Sequence, residues 1–227
     1  MGKIYLSSKD IEKIKQGEFL GDGEYAKVYD YNGKAIKIYD NDLEPKAIRS
    51  IERMSKYNDD IFVFPDDIVY VDDKIKAYTQ EKVDGITLYH MIIAVLQNYY
   101  DIDIELFMED YQKLKKTIKR ISDEHIIVYD LHDENIMFNK GFKVIDTANY
   151  KIDYFRSKDD IYKSNMINFA DLFVSEFIKL NSFSVDIVQE EIGNKYSVNY
   201  MDNFLKTIPK KLEYCKSLRD FKDYNTL

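Results

Sequence analysis

The chain has 227 residues, 45% of them apolar, which is the composition of a folded globular protein rather than a disordered one. Its formal net charge of −8 argues against general binding to nucleic acid or anionic membranes. The one cysteine, Cys215, excludes an intramolecular disulfide and a multi-cysteine zinc site, and it fits a reducing compartment. The longest apolar run, around Met91–Leu96, is too short to span a bilayer.

The first 84 residues predict a sheet of five antiparallel strands with one helix packed on it. Asn32-Gly33 is the strongest signal for a two-residue hairpin turn, and Pro45 suits the first position of a helix. The expected elements are a short helix between Ser7 and Gly17, two strands around a glycine turn within Phe19–Tyr29, a strand at Lys34–Tyr39, a helix from Pro45 to about Tyr57, and strands at Asp67–Val71 and Ala77–Val83.

After Gly85 the hydrophobic pattern becomes helical. We expect one α+β domain over residues 1–227, with a mostly β part to about residue 84 and a mostly α part from about residue 85. The second part also holds a hairpin turning at Lys140-Gly141 and a polar segment, Thr147–Lys163. The expected helices are Leu88–Tyr99, Glu105 to about Ser122, Asn165–Leu180, Asp186–Gly193 and Tyr200–Arg219.

The stretch Val128–Asn135, together with the later Asp146, carries the main chemical signal. Asp130, Asn135 and Asp146 follow or precede short apolar segments. Oxygen ligands suit Mg²⁺, which proteins hold with one or two carboxylates plus substrate phosphates, and a remaining acid can accept a proton. The alternative for each residue is a capped turn, because Asp and Asn are common in turns.

Two motifs in the N-terminal part are candidates for a binding site. In Gly21-x-Gly23-x-x-Ala26-x-Val28, glycines let the backbone approach phosphates and donate N–H groups; the alternative is an ordinary hairpin turn. Lys37 has apolar neighbours on both sides in a strand, so its side chain faces away from theirs, toward a cleft or water.

The order of these motifs resembles that of the protein-kinase-like superfamily from about Phe19 to Leu180. The resemblance implies a bilobal fold, with the five-stranded N-terminal sheet and a reduced, mostly helical C-terminal lobe. It also implies ATP and Mg²⁺. Within the superfamily, the chain resembles minimal, atypical Ser/Thr kinases, such as the compact kinases found among bacterial effectors and in small archaeal and eukaryotic tRNA-modification complexes.

By this resemblance, Asp130 is the catalytic base and Asn135 and Asp146 hold Mg²⁺. Lys37 orients the α- and β-phosphates and pairs with a helix acid, for which Glu52 is preferred over Glu44. The remaining nucleotide contacts are Gly21 and Gly23 at the phosphates, Val28 and Ala35 at the adenine, Gln80 as gatekeeper, and the Glu81 carbonyl and Val83 N–H as the hinge.

Several residues depart from the family pattern. Val128-Tyr129 replaces His-Arg before Asp130, so a phosphate on the activation segment has no partner there and we expect no activation by phosphorylation. Thr147-Ala148 replaces Phe-Gly after Asp146, which removes the side chain that toggles activity. Asn168 stands roughly where the family has an Asp that braces the catalytic loop. No Ala-Pro-Glu triplet follows.

His132 leaves the identity of the phosphate acceptor open. Many Ser/Thr kinases have Lys near the γ-phosphate at this place, so the resemblance makes His132 a candidate catalytic residue. A His here is also similar to the small-molecule branch, such as aminoglycoside and choline kinase-like proteins; His132 can also simply fill the loop. His90 and His125 are expected to be structural or exposed. The preferred function is transfer of phosphate from ATP to a protein hydroxyl in a cytoplasm, or in a host cytosol if the chain is an effector. The alternatives are a small-molecule alcohol acceptor and a pseudokinase that binds without turnover.

Overall fold

The computed structural model describes residues 2–192, 195–212 and 214–224, and this part of the chain is α+β with eight α-helices. The chain divides into two compact units. The first comprises Met1–Asp84 and Lys143–Lys151, and the second comprises Gly85–Phe142 and Ile152–Leu227. The first unit is therefore built from two stretches that are far apart in the sequence.

The first unit is a six-stranded mixed sheet with two helices. Its order is β1-β5-β6-β4-β3-β2, with β1 parallel to β5 and the other neighbours antiparallel. The elements are β1 (Lys3–Leu6), α1 (Ser8–Lys15), β2 (Phe19–Asp22), β3 (Ala26–Tyr31), β4 (Lys34–Tyr39), α2 (Pro45–Met54), β5 (Ile68–Val71) and β6 (Lys74–Glu81).

The prediction of five antiparallel strands was wrong, because it missed β1. Four residues are too few to show an alternating pattern, and the partner strand of β1 lies beyond α2 in the sequence. The last strand also starts earlier than expected. Asp72 and Asp73 have positive φ in a tight turn, and Val71 pairs with Lys74 directly across it.

Local signals explain the other elements of the sheet. Asn32 and Gly33 have φ of 55° and 80°, as a two-residue turn with both central φ positive requires, and β3 and β4 pair across them; the predicted hairpin is confirmed. Ser7 accepts a hydrogen bond at the start of α1 in a capping box. One sheet face packs on α1 through Ile11, Ile36 and other buried residues.

The second unit is mostly helical. Within it, β7 pairs antiparallel with β9. Two further short strands, β10 (Phe142–Val144) and β11 (Lys151–Ile152), contain residues of both units. The other elements are β7 (Ile86–Thr87), α3 (Leu88–Leu96), α4 (Ile104–Asp123), β8 (Ile126–Ile127), β9 (Ile136–Phe138), α5 (Lys158–Leu180), α6 (Ser182–Ile192), α7 (Tyr200–Lys211) and α8 (Leu218–Asp223).

Three predicted helices differ from those observed by four or more residues at one end, or are divided in two. The helix expected at Asn165–Leu180 begins at Lys158, because Ser157 accepts a hydrogen bond from the Asp160 N–H as its N-cap. The helix expected at Tyr200–Arg219 is two helices, α7 and α8, of which α8 has its own capping box at Ser217. The helix expected to end at Gly193 starts at Ser182, and Gly193 lies outside the described residues.

An aromatic cluster forms the core of the second unit. Phe107 on α4 packs edge-on against Phe142, Phe173 and Phe177, with ring centroids 5.2–5.7 Å apart. Such edge-to-face pairs contribute about 0.5–1.5 kcal/mol each beyond their buried area. This cluster fixes α5 against α4. Among the described helices, none is both long enough and apolar enough to cross a membrane.

Candidate functional site

One face of the sheet in the first unit collects most of the residues predicted to bind a nucleotide. Lys37 on β4 is opposite Val28 on β3, and Val28 is opposite Gly21 on β2. Ala35, two residues before Lys37, is opposite Gln80 on β6. Because paired residues of antiparallel strands share a face, as do residues i and i+2, these five positions share one face. Ile36 and Ile38 lie on the other face, in the core with α1.

The two glycines of the turn leave the backbone of this edge uncovered. Neither Gly21 nor Gly23 has a positive φ. A side chain at Gly21 would meet no atom within 4 Å, and one at Gly23 would lie 3.9 Å from the Ala26 carbonyl oxygen. Neither backbone conformation nor crowding within the chain therefore requires glycine here, and the space beside the strand is open for another molecule.

Lys37 forms an ion pair with Asp146, which is the last of the predicted site residues in the sequence. The Lys37 Nζ is 2.5 Å from Asp146 Oδ1, and both side chains are largely buried, at 17% and 26% exposed. The predicted partners Glu52 and Glu44 both lie on or next to α2. Neither forms an ion pair with Lys37 in the part of the chain that the structure describes. The structure thus brings Lys37 to Asp146 and not to a helix acid.

Two tyrosines lie close enough to Asp146 for its negative charge to affect their pKa values. Tyr78 is opposite Lys37 on the neighbouring strand, and Tyr39 is two residues after Lys37, with the two rings 6.3 Å apart. Burial raises the pKa of both phenols, and the negative charge of Asp146 raises each pKa further. Both rings are therefore neutral near pH 7. Their position beside Lys37 follows from strand alternation, which is the signal that could have identified them.

The residues after Asp146 are anchored within the first unit. Asp146 has a left-handed backbone (φ 59°) and precedes a short 3-10 helix, Thr147–Asn149. The Thr147 hydroxyl donates to the Val63 carbonyl at 2.7 Å, and the Ser50 hydroxyl donates to the Ala148 carbonyl at 2.7 Å. Because Thr147 and Ala148 are fully buried, these contacts fix the backbone that carries the Asp146 carboxylate.

The end of β6 contains an unsatisfied acceptor. Gln80 is 8% exposed, and its side-chain oxygen Oε1 is buried without a hydrogen-bond partner. A buried polar atom left unpaired costs about 1–3 kcal/mol, so a donor supplied by a ligand would relieve this cost. The Glu81 carboxylate is engaged elsewhere, 2.8 Å from the Lys143 Nζ, and Val83 is half-buried in the loop that follows.

In the second unit, the predicted catalytic loop is held by its own side chains. The Asn135 amide nitrogen Nδ2 donates to the Asp130 carbonyl at 3.0 Å and lies 2.9 Å from His132 Nε2. Asp130 has a φ of 59° and an exposed side chain, whereas Asn135 is buried. His132 therefore contacts Asn135, and the Asp130 carboxylate is left accessible.

Asp130 lies in an open cleft of about 420 Å³ in the second unit. The cleft is lined by residues 128–131 and by one stripe of α5, which consists of Asn168, Asp171, Leu172 and Ser175. We call this cleft the α5 groove. It brings one proposed catalytic residue next to a helix face that the sequence did not assign to a site.

Asn165, and not Asn168, braces the segment that leads into the loop. Its side-chain oxygen accepts from the Val128 N–H at 3.0 Å, and its amide donates to Ser122 Oγ and the Ile126 carbonyl at 3.0 Å. Asn168 instead lines the α5 groove. A signal was present, because Asn165 lies four residues from Ile161 and from Phe169 on the buried face of α5, where a polar residue needs partners.

The other histidines make local contacts. His90 Nδ1 is 2.8 Å from the Thr87 hydroxyl, and His125 Nδ1 is 3.1 Å from the Asp153 carbonyl oxygen. Over the described ranges, no three or more His, Cys, Asp or Glu side chains cluster as a metal site would require. Mg²⁺ bound with substrate phosphates needs only one or two protein ligands, so the predicted Asn135 and Asp146 are compatible with that finding.

The two units carry different chemical groups. The first has a sheet face with a cation, an uncovered glycine edge and an unpaired amide oxygen; these groups suit a ligand that joins phosphates to a polar base. The second has an exposed carboxylate in a cleft, which can accept a proton.

No protein-family model matches this chain, and no curated protein matches it significantly.

Proposed function

We propose that the chain is an ATP- and Mg²⁺-dependent phosphotransferase of the bilobal protein-kinase-like type, acting on a protein hydroxyl in a cytoplasm. The observation that carries this proposal is the strand register of the first unit. It places Gly21, Val28, Ala35, Lys37 and Gln80 on one face, although nothing in their individual side chains requires them to lie together.

The residues of this face fit ATP. The open edge at Gly21 and Gly23 would accept phosphates against backbone N–H groups. Lys37 would bind the phosphates, and the unpaired Gln80 oxygen suits a donor such as the exocyclic amine of adenine. Val28 would pack on the base. Asp146 would hold Mg²⁺; the other predicted metal ligand, Asn135, belongs to the second unit.

In the proposed reaction, Asp130 orients the acceptor hydroxyl and takes its proton as the new bond to phosphorus forms. When bound, ATP would supply the phosphoryl group and Mg²⁺ would neutralise phosphate charge. Asn135 holds the Asp130 carbonyl, which fixes the backbone of the base. Lys37 pairs with Asp146, and its ammonium would be available to bind the phosphates if Asp146 held the metal.

The nucleotide site is tested by thermal unfolding with Mg-ATP. A ligand that binds only the folded state at one hundred times its Kd stabilises that state by about 2.7 kcal/mol, so Mg-ATP should raise the Tm by several degrees. Lys37→Met should remove most of this increase. Lys27→Met is the matched control, since Lys27 is an exposed lysine on the same sheet opposite Ile38, on the other face. Equal shifts in both variants, or none in the wild type, would refute the site.

The catalytic role is tested by Asp130→Ala with labelled ATP. Loss of a general base typically lowers a rate 10²- to 10⁴-fold, so label transfer to acceptors should fall at least a hundredfold while the Tm shift with Mg-ATP persists. Unchanged transfer in this variant would exclude Asp130 as the base.

A second candidate is a pseudokinase, a module that binds nucleotide without turnover. The pairing of Lys37 with Asp146, and not with Glu52, favours it, because the expected helix acid does not position the lysine. Panels of protein and small-molecule acceptors separate the alternatives. Label on protein supports the proposal, label on a small alcohol supports the small-molecule kinase, and nucleotide binding with no label on either supports the pseudokinase.

A further inference from the structure

The α5 groove extends away from Asp130 along an exposed stripe of α5. Asn168, Asp171 and Ser175 are exposed and Leu172 is half-buried, and their spacing of three, four and seven residues puts them on one helix face. From Asn168 to Ser175 the helix rises about 10 Å. An extended polypeptide advances about 3.3 Å per residue, so the stripe matches a segment of about three residues.

The charge in the groove has one sign. Asp130 and Asp171 are its two ionisable carboxylates, and no Lys, Arg or His lines it. Neither acid has an ion-pair partner among the described residues, although many other acids of the second unit do, for example Asp110 with Lys113. Two unpaired carboxylates, one of which is the proposed proton-accepting base, favour an acceptor that carries positive charge.

The openness of the groove favours a polypeptide over a small molecule. Sites for small ligands enclose most of the ligand surface, commonly 70–90% of it. Three of the four α5 positions that line this groove are exposed, so the groove supports a ligand from one side only. A chain that crosses the groove gains further contacts on both sides of it, which a small molecule does not.

We propose that the α5 groove binds the acceptor as a short extended peptide. In this complex a Ser or Thr hydroxyl faces Asp130, and a Lys or Arg within about three residues of it pairs with Asp171. This inference rests on the proposed function and specifies its substrate. In the reaction, the peptide oxygen bonds to the γ-phosphorus of ATP, the bond from that phosphorus to ADP breaks, and the hydroxyl proton passes to Asp130.

The test measures binding, which needs no turnover. Fluorescently labelled serine nonapeptides carry two arginines either before or after the serine, and a matched pair carries glutamates at the same positions. Fluorescence anisotropy should give at least one arginine peptide a Kd at least tenfold lower than that of its glutamate counterpart. The difference should shrink as salt rises from 50 to about 500 mM, because exposed charges are screened.

Asp171→Lys tests the named contact. It should abolish or reverse the preference for arginine, whereas Asp186→Lys should change it less than twofold. Asp186 is a matched control, because it is an exposed acid on α6 that does not line the groove and undergoes the same charge change. The Tm of both variants and their shift with Mg-ATP report on folding and on the nucleotide site separately.

Each outcome decides the matter. Equal affinity for arginine and glutamate peptides, or a preference that survives Asp171→Lys, overturns the inference. Binding of cationic amino-alcohols without binding of peptides also overturns it, in favour of a small-molecule acceptor. If these failures occur while Mg-ATP still raises the Tm, the nucleotide site stands and only the acceptor assignment falls; loss of the Mg-ATP effect itself is the failure of the proposed function.

Discussion

Two buried hydroxyl groups with opposite bonding show how single atoms affect this fold. The Thr147 hydroxyl donates to the Val63 carbonyl at 2.7 Å in a fully buried setting. The Tyr111 hydroxyl is also buried but has no hydrogen-bond partner, and burial, with the charge of Asp202, raises its pKa above the usual range. A satisfied hydroxyl stabilises the folded state, whereas an unsatisfied one carries a desolvation cost.

We expect Thr147→Val, which keeps the shape of the side chain, to lower the free energy of unfolding by about 1–3 kcal/mol, because the Val63 carbonyl loses its donor. For a chain of this size that corresponds to a Tm lower by about 2–4 °C per kcal/mol. Denaturant and thermal unfolding measure the change. Since Thr147 directly follows Asp146, the shift with Mg-ATP should also weaken.

Tyr111→Phe is the opposite case. It removes a buried oxygen that has no partner, so stability should stay within about 0.5 kcal/mol of the wild type or rise. If Tyr111→Phe lowered the free energy of unfolding as much as Thr147→Val does, then burial of a hydroxyl, and not its hydrogen bond, would determine the stability difference.

At the scale of elements, one lysine joins α5 to the predicted catalytic loop. The Lys179 Nζ lies 2.6 Å from Glu176 Oε1 and 3.1 Å from Asp133 Oδ2. Glu176 is 2% exposed, and its second oxygen is buried without a partner. Burial raises the pKa of this carboxyl even though Lys179 lowers it in part. The ionised form of Glu176 therefore lowers the stability of the folded state at this position of α5.

The pH dependence of stability follows from that shift. A carboxyl with a raised pKa in the folded state favours folding when protonated, so its contribution is fully present below the ordinary value of 4.5 and is lost as pH rises through the higher folded value. We expect the stability of the wild type, relative to Glu176→Gln, to increase as pH falls from 7 toward 4.5. Urea unfolding at several pH values measures it, and a flat difference would contradict the account.

Elements set by local chemistry were predictable, and those set by distant partners were not. Asn32-Gly33 alone determines its hairpin, since both positions need positive φ. In contrast, β1 pairs with the distant strand β5, and Lys37 pairs with Asp146, which comes 109 residues later in the sequence. No local pattern distinguishes Asp146 from Glu52 as that acid. Likewise Asn165 was recognisable as a polar residue on an apolar face, but its partners Ser122 and Val128 come from other elements.

At the scale of the whole molecule, the first unit depends on a segment that the chain supplies late. Val144 exchanges backbone hydrogen bonds with residues 61 and 63, at 2.8 and 2.9 Å. Ala148 packs in the core with Ile51, Ile68 and Tyr78. Without this segment, the apolar surface around Tyr78 and the carbonyl of Val63 would lose their partners. The sheet and its helices are therefore an incomplete folding unit by themselves.

A fragment of residues 2–84 tests this dependence. We expect it to show no cooperative thermal transition by circular dichroism, or one well below that of the intact chain, because its core lacks residues 143–151. Adding the peptide 143–151 should restore or raise the transition in proportion to its concentration, since it binds only the folded fragment. A scrambled peptide of the same composition should have no effect, because the register of Val144 and the hydroxyl of Thr147 depend on order. A fragment that unfolds cooperatively at the temperature of the intact chain, with or without the peptide, would show that the sheet folds independently and that the returning segment only carries Asp146 to Lys37.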